Sequence, residues 1–171
     1  NKNNKSNPKT KSKKPNYVNQ LAKELNLNEN EFNGDIPITL GNLSSLQTLR
    51  LNLNQLTGVI PSEFESLTAL ELLNLGGNQL IGTLPDAFST LTNLQTLRIG
   101  NNQLIGCYPL WLCDISTVAT DNNPGFPNGG NPEDYNNFCN NPSTQFGLTC
   151  DHYDPTTIGA TIQPDCSCGN G

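Results

Sequence analysis

The stretch LQTLRLNLNQLTGVIP, residues 46–61, decides how this 171-residue chain folds. Leu49 and Leu51 stand two positions apart, so in an extended strand both side chains point to one face. Asn54 follows where that strand must end, and its amide offers two donors and an acceptor to backbone that is leaving a ladder. Gly58 permits a tight turn or a positive φ, and Pro61 fixes φ as the chain begins its return. One such coil buries nothing alone and needs a neighbour of the same shape.

The neighbours are present. A constant shift superimposes LNLNENEFNGDIPITLGNLSSLQT from Leu25, LRLNLNQLTGVIPSEFESLTALEL from Leu49, LNLGGNQLIGTLPDAFSTLTNLQT from Leu73 and LRIGNNQLIGCYPLWLCDISTVAT from Leu97. Three columns are invariant: Asn30, Asn54, Asn78, Asn102; Gly34, Gly58, Gly82, Gly106; and Pro37, Pro61, Pro85, Pro109. The step from Leu25 to Leu49, repeated to Leu73 and Leu97, falls in the period range of leucine-rich repeats. The expected fold is therefore an α/β repeat solenoid, a right-handed coil with short parallel strands on its concave side. It has four full repeats of about 24 residues each and a shortened fifth. In that fifth coil Asn123 reaches the ladder column early, closer to Asn102 than Asn102 is to Asn78. The paired strand leucines face the interior, and Leu40, Leu43 and Leu46 with their equivalents fill it from the convex side.

Composition agrees with thin aliphatic layers: hydrophobic residues make up 34% of the chain and aromatics only 6%. The net charge is −6, yet six of nine cations (Lys2, Lys5, Lys9, Lys11, Lys13, Lys14) fall in the first fourteen positions. The remainder carries three cations against fifteen acids, a balance that repels nucleic-acid phosphates and anionic membrane surfaces. Neither is an expected partner, and no apolar run is long enough to span a bilayer. The absence of methionine marks the chain as a fragment or a matured form, and a removed signal peptide is compatible with it.

The organisation expected from these features has four parts. Residues 1–15 are a disordered basic linker, 16–24 an N-terminal cap or partial repeat, 25–123 the solenoid, and 124–171 a cysteine-containing C-terminal cap. All six cysteines (Cys107, Cys113, Cys139, Cys150, Cys166, Cys168) gather where the repeats end, which points to disulfides and an oxidising compartment. Six cysteines allow fifteen connectivities, and spacing selects none of them. Zinc binding by the C-x-C pair with His152 is the competing reading, weakened by the lack of a second pair at zinc-finger spacing. Asn4 and Asn42 fit the glycosylation acceptor pattern, Asn42 on the convex side.

Catalytic chemistry has little to stand on. No phosphate loop, H-E-x-x-H or G-x-S-x-G occurs, and His152 is the lone histidine. Asp151, His152, Tyr153 and Asp154 lack a nucleophile beside them. Glu63 with Glu65 and Glu133 with Asp134 read as solvated acids, not as a pair facing across a cleft. The chain is expected to be no enzyme and to carry no cofactor and no metal.

The candidate ligand-binding residues are those flanking the core leucines on the concave strands: Asn26, Asn28, Thr48, Arg50, Asn52, Asn74, Thr96 and Arg98. Arg50 and Arg98, two coils apart, should stand about 10 Å from each other at ~4.8 Å per strand. Such a pair suits carboxylates of an acidic peptide or a uronic-acid polymer. Five strands give a concave sheet of roughly 400 to 550 Å², short of the about 800 Å² that a standard interface buries per partner. A partner is expected to use the cap or a flank as well.

The motif L-x-x-L-x-L-x-x-N-x-L-x-G-x-I-P in residues 46–61 resembles the plant-type class of leucine-rich repeats, which includes receptor-kinase ectodomains and polygalacturonase-inhibiting proteins. The resemblance covers residues 25–118, and similar repeats occur in surface proteins of protists and bacteria. GCYPLWLC (106–113), NNPGFPNGG (122–130), FC (138–139) and LTC (148–150) resemble the C-terminal closure of secreted repeat proteins from microbes and protists. The plant resemblance implies an extracellular or cell-surface, non-catalytic module that binds a protein, a peptide or an acidic glycan. Inhibition of a wall-degrading enzyme, and a structural, adhesive or ice-binding surface role, are the alternatives. One departure stands out: NYVNQLAKE (16–24) contains none of the paired cysteines with which plant members usually begin, leaving a divergent cap or a cut solenoid.

Overall fold

The structure, a computed structural model, describes residues 22–140 together with two short paired strands at 161–162 and 168–169. In chain order the strands of the first two coils are β1 (Glu24–Asn26), β2 (Asn33–Asp35), β3 (Thr48–Arg50) and β4 (Gln55–Thr57). Then come β5 (Leu72–Asn74), β6 (Ile81–Gly82), β7 (Thr96–Arg98), β8 (Gln103–Leu104) and β9 (Thr117–Ala119).

Strands β1, β3, β5, β7 and β9 form one parallel sheet in that order. Leu25, Leu49, Leu73 and Leu97 align in register, one per coil, and Val118 of the shortened fifth coil aligns with Leu97. Every coil thus places an aliphatic strand residue against that of the previous one, and Leu49, Leu73 and Leu97 are buried.

The return side is built from 3-10 turns. Pro37, Pro61, Pro85 and Pro109 each stand immediately before one, at Ile38–Asn42, Ser62–Ser66, Asp86–Thr90 and Leu110–Asp114. Proline suits this place because its φ is preset and its missing N–H is not needed. Each proline carbonyl accepts the first bond of its turn, as from the Phe64 and Phe88 amides. Phe64, Phe88 and Leu112 then point inward from these turns and are buried, whereas Leu40 of the first coil is only partly covered. Leu25, Leu27 and Leu43 of that coil are also only partly buried. Val18 and Leu21, which precede β1 in the sequence, lie outside the described residues, as do residues 1–15 with Asn4.

Between strand and return, the ladder asparagines replace the missing sheet bonds. Asn78 Nδ2 donates to Leu51 O at 3.0 Å in the previous coil and to Leu75 O at 2.9 Å in its own, while its Oδ1 accepts the Leu56 amide at 3.1 Å. Asn54, Asn102 and Asn123 repeat the pattern, and Asn102 and Asn123 are buried. Just before each asparagine the backbone is left-handed: Glu29, Leu53, Gly77, Asn101 and Asn122 have φ between 55° and 66°.

Beyond Val118 the stack is closed by an aromatic cluster. Tyr108 packs against Phe126, Tyr135 and Phe138 at ring-centroid distances of 5.4, 5.8 and 5.7 Å. Tyr135 and Phe138 sit on α1 (Pro132–Asn140), which a disulfide between Cys113 and Cys139 fastens to the 3-10 turn Leu110–Asp114. Cys107 is disulfide-bonded as well. Cys150, Cys166 and the Asp151–Asp154 segment with His152 lie outside the described residues, and Cys168 is described only as backbone of a short strand.

Candidate ligand-binding face

Parallel pairing turns equivalent positions of successive coils into files on the sheet. One file reads Glu24, Thr48, Leu72, Thr96, Thr117, and the next reads Asn26, Arg50, Asn74, Arg98, Ala119. These positions flank the buried leucines, so alternation sends them to the opposite face. Asn26 and Arg98 are exposed, and Asn28, Thr48, Arg50, Asn52, Asn74 and Thr96 are half-buried. The face brings all eight sequence-predicted residues onto consecutive coils.

Their states differ in a way the sequence reading did not resolve. Arg50 Nη1 donates to Glu24 Oε1 at 2.6 Å, which makes it half of an ion pair. With side chains 33% and 58% exposed, that pair contributes about 0–1 kcal/mol to stability. Its consequence is electrostatic: Arg50 is neutralised locally. Arg98 is exposed and has no salt-bridge partner among the described residues. Its neighbours across the ladder are Asn74 and Ala119, neither of them acidic. The two arginines are therefore not the equivalent clamp that their spacing suggests.

The third file is partly bare. Asn28 and Asn52 are followed by Gly76 and Gly100, and a Cβ on Gly76 would stand 3.2 Å from the Gly100 carbonyl oxygen. On Gly100 a Cβ would meet Asp121 Oδ1 at 2.7 Å, so the Asp121 carboxylate lies across that glycine. Asn28 and Asn74 are occupied locally: Asn28 Nδ2 donates to Glu29 Oε1 at 2.9 Å, and Asn74 Oδ1 accepts the Gly76 amide at 3.2 Å. Asn52 Oδ1 is buried with no hydrogen-bond partner. Among the described residues, the face thus offers one cation outside any ion pair, threonine hydroxyls and, near Arg98, a glycine position across which the Asp121 carboxylate lies.

A family model described as Leucine rich repeat matches residues 21–80 and 45–104. This solenoid is a leucine-rich-repeat array of the plant type. Solved structures of plant receptor kinases are similar to it. One is the Arabidopsis receptor kinase HAESA in complex with the peptide hormone IDA and the co-receptor SERK1 (36% identity, TM-score 0.59, 64% of this chain and 19% of that one). Another is the ectodomain of the Arabidopsis receptor kinase SOBIR1 (30% identity, TM-score 0.57, 61% of this chain and 58% of that one). A plant ice-binding protein is similar too (34% identity, TM-score 0.52, 55% of this chain and 31% of that one). The chain spans under a fifth of the HAESA ectodomain and under two thirds of the SOBIR1 one. No curated protein sequence matches. Among the described residues of this array, no helix is long and apolar enough to cross a membrane.

Proposed function

We propose that this leucine-rich-repeat array is a non-enzymatic extracellular recognition module that binds a peptide or protein through its concave sheet face, with Arg98 as the anchoring cation. The carrying observation is the state of Arg98: exposed, without a salt-bridge partner among the described residues, and set in a body whose acids far outnumber its cations. A carboxylate on the ligand supplies the partner that Arg50 already finds in Glu24, and a guanidinium binds it with two parallel bonds. Likeness to HAESA, whose complex holds a peptide hormone, supports the same ligand class here. The small area of a five-strand sheet brings the cap or a flank into the contact as well.

The experiment compares two anionic probes of equal charge, an acidic peptide and an oligogalacturonate, titrated against wild type and Arg98→Glu. Tighter peptide binding, weakened about tenfold or more by Arg98→Glu, is the expected result. Preference for the oligogalacturonate favours the glycan reading. Indifference of both probes to Arg98→Glu rejects the site. The ice-binding likeness carries a separate, weaker reading. The file Thr48, Leu72, Thr96, Thr117 is interrupted by leucine and preceded by Glu24, so it lacks the uniform array that this role requires.

A further inference from the structure

We infer that one flank of the solenoid, a strip from Ile38 over Val59 and Ile81 to Ile105, is a docking surface for an extended partner segment that interleaves aliphatic side chains with Lys or Arg. The four residues are 59%, 57%, 47% and 45% exposed. Single exposed aliphatics are ordinary, but a contiguous set is not. Here contiguity is built by the backbone. Val59 and Ile81 pair directly across neighbouring coils, Ile38 lines the same groove as Val59, and the Ile105 amide donates to the Gly82 carbonyl beside Ile81 at 2.9 Å.

The invariant glycines keep this strip open. A Cβ on Gly82 would stand 3.0 Å from Val59 Cγ1, and one on Gly106 would stand 3.1 Å from Thr83 Cγ2. Each glycine therefore lets the flank side chain of the previous coil lie over it without a competitor. Below the strip a groove of about 510 Å³ runs between the coils, with Ile38, Val59, Pro61 and Pro85 as its apolar wall and Asp35 and Glu63 as its charged border.

Charge and shape together select the occupant. No cation lines the groove: the described ones are Lys23, just before β1, and Arg50 and Arg98 on the opposite sheet face. A second copy of the chain would bring Asp35 and Glu63 against like charges. Residues 1–21 hold six lysines at positions 2–14 and their only large aliphatics, Val18 and Leu21, beyond them, so no stretch of this segment interleaves the two kinds of side chain. Residues 141–171 have aliphatics but three acids and no Lys or Arg. A segment of another protein carrying both kinds of side chain fits both features. Four coils span about 15 Å at ~4.8 Å per coil, the length of about five extended residues.

This surface shares no residue with the Arg98 site, so the two proposals fail separately. The test uses the oxidised full chain and three fluorescein-labelled octapeptides, alternating leucine with lysine, leucine with glutamate, and asparagine with lysine. Fluorescence anisotropy is expected to show the leucine–lysine peptide binding about tenfold tighter than either other peptide. Ile38→Ser with Val59→Ser, and separately Glu63→Lys, should each weaken it about tenfold, whereas Arg98→Glu should leave it unchanged. Equal binding of the leucine–glutamate peptide, or indifference to all flank substitutions, overturns the proposal. Two further outcomes also overturn it: tighter peptide binding after removal of residues 1–15, which makes that segment the occupant, and a dimer that Val59→Ser dissociates, which makes it a second copy.

Discussion

The side-chain amide of Asn102 donates to the carbonyl of Leu75, one coil earlier, at 3.1 Å, and to Ile99 in its own coil at 3.0 Å. Its Oδ1 accepts the Leu80 amide at 3.0 Å, so one buried side chain bonds backbone groups of two coils. Asn30 reaches only Leu27 and Asn28 of its own coil and is exposed. Asn102→Ala leaves the buried Leu80 amide without its acceptor, at about 1–3 kcal/mol, while Leu75 O and Ile99 O keep the Asn78 and Asn123 amides. Asn30→Ala should cost under about 1 kcal/mol, since water replaces its bonds. Urea denaturation of the two variants measures the contrast, and equal losses would contradict it.

Leu53 holds a left-handed backbone (φ 55°) while 55% exposed, where its coil-to-coil equivalents are Glu29, Gly77 and Asn101. That conformation costs a branched L-residue about 1–2 kcal/mol and asparagine less. Leu53→Asn is therefore expected to raise the melting temperature, whereas Gly77→Ala lowers it, because its φ is +66° and the new Cβ would lie 2.8 Å from Leu53 Cδ2. A lower melting point for Leu53→Asn would mean that the leucine contributes packing that its exposure conceals.

The Tyr135 hydroxyl donates to Leu112 O at 3.0 Å, and burial raises the phenol above its ordinary pKa. A phenol whose folded pKa exceeds the unfolded one favours the fold fully below about pH 10 and loses that contribution as pH rises through the folded value. The cap should therefore destabilise in alkali, and Tyr135→Phe should flatten that limb while costing about 1 kcal/mol at neutral pH. Melting curves from about pH 8 to about pH 11, a range that brackets the phenol's usual value, check it. An unchanged alkaline limb in the phenylalanine variant would reject it.

Cys113 and Cys139 close a loop of 26 residues and hold α1 against the last coil. Replacing both with serine should lower stability by about 3 kcal/mol and release the Tyr135 and Phe138 packing. Calorimetry of the double variant reads the first effect, and loss of near-ultraviolet circular dichroism reads the second. Retention of both signals would show that the aromatic cluster closes the stack unaided.

Most of the fold was legible because one column of residues becomes one file in space. Leu49, Asn54, Gly58 and Pro61 each have a job that few residue types perform, so their recurrence exposed both the period and the role of each. The parts that escaped lack that restriction. The left-handed position reads Glu29, Leu53, Gly77, Asn101, a series in which only Gly77 and Asn101 hint at positive φ. The flank strands β2 and β6 are three and two residues long, and Asn33, Gly34 and Asp35 have no strand preference to detect. Fifteen connectivities hid the Cys113–Cys139 pair. At the candidate site the strand files were legible, but not which of their side chains pair with one another. Glu24 and Arg50 are in adjacent files of neighbouring coils, and only their side-chain rotamers decide that they meet.

The most direct test of the recognition account locates a ligand on the surface. An acidic peptide carrying a nitroxide label is added to isotopically labelled protein, and broadening of backbone amide resonances is mapped. The account predicts loss of signal at Asn74, Thr96, Arg98 and Gly100, relieved by Arg98→Glu. Broadening confined to the 3-10 turns at Ser62–Ser66 and Asp86–Thr90 would place the ligand on the opposite side and contradict it.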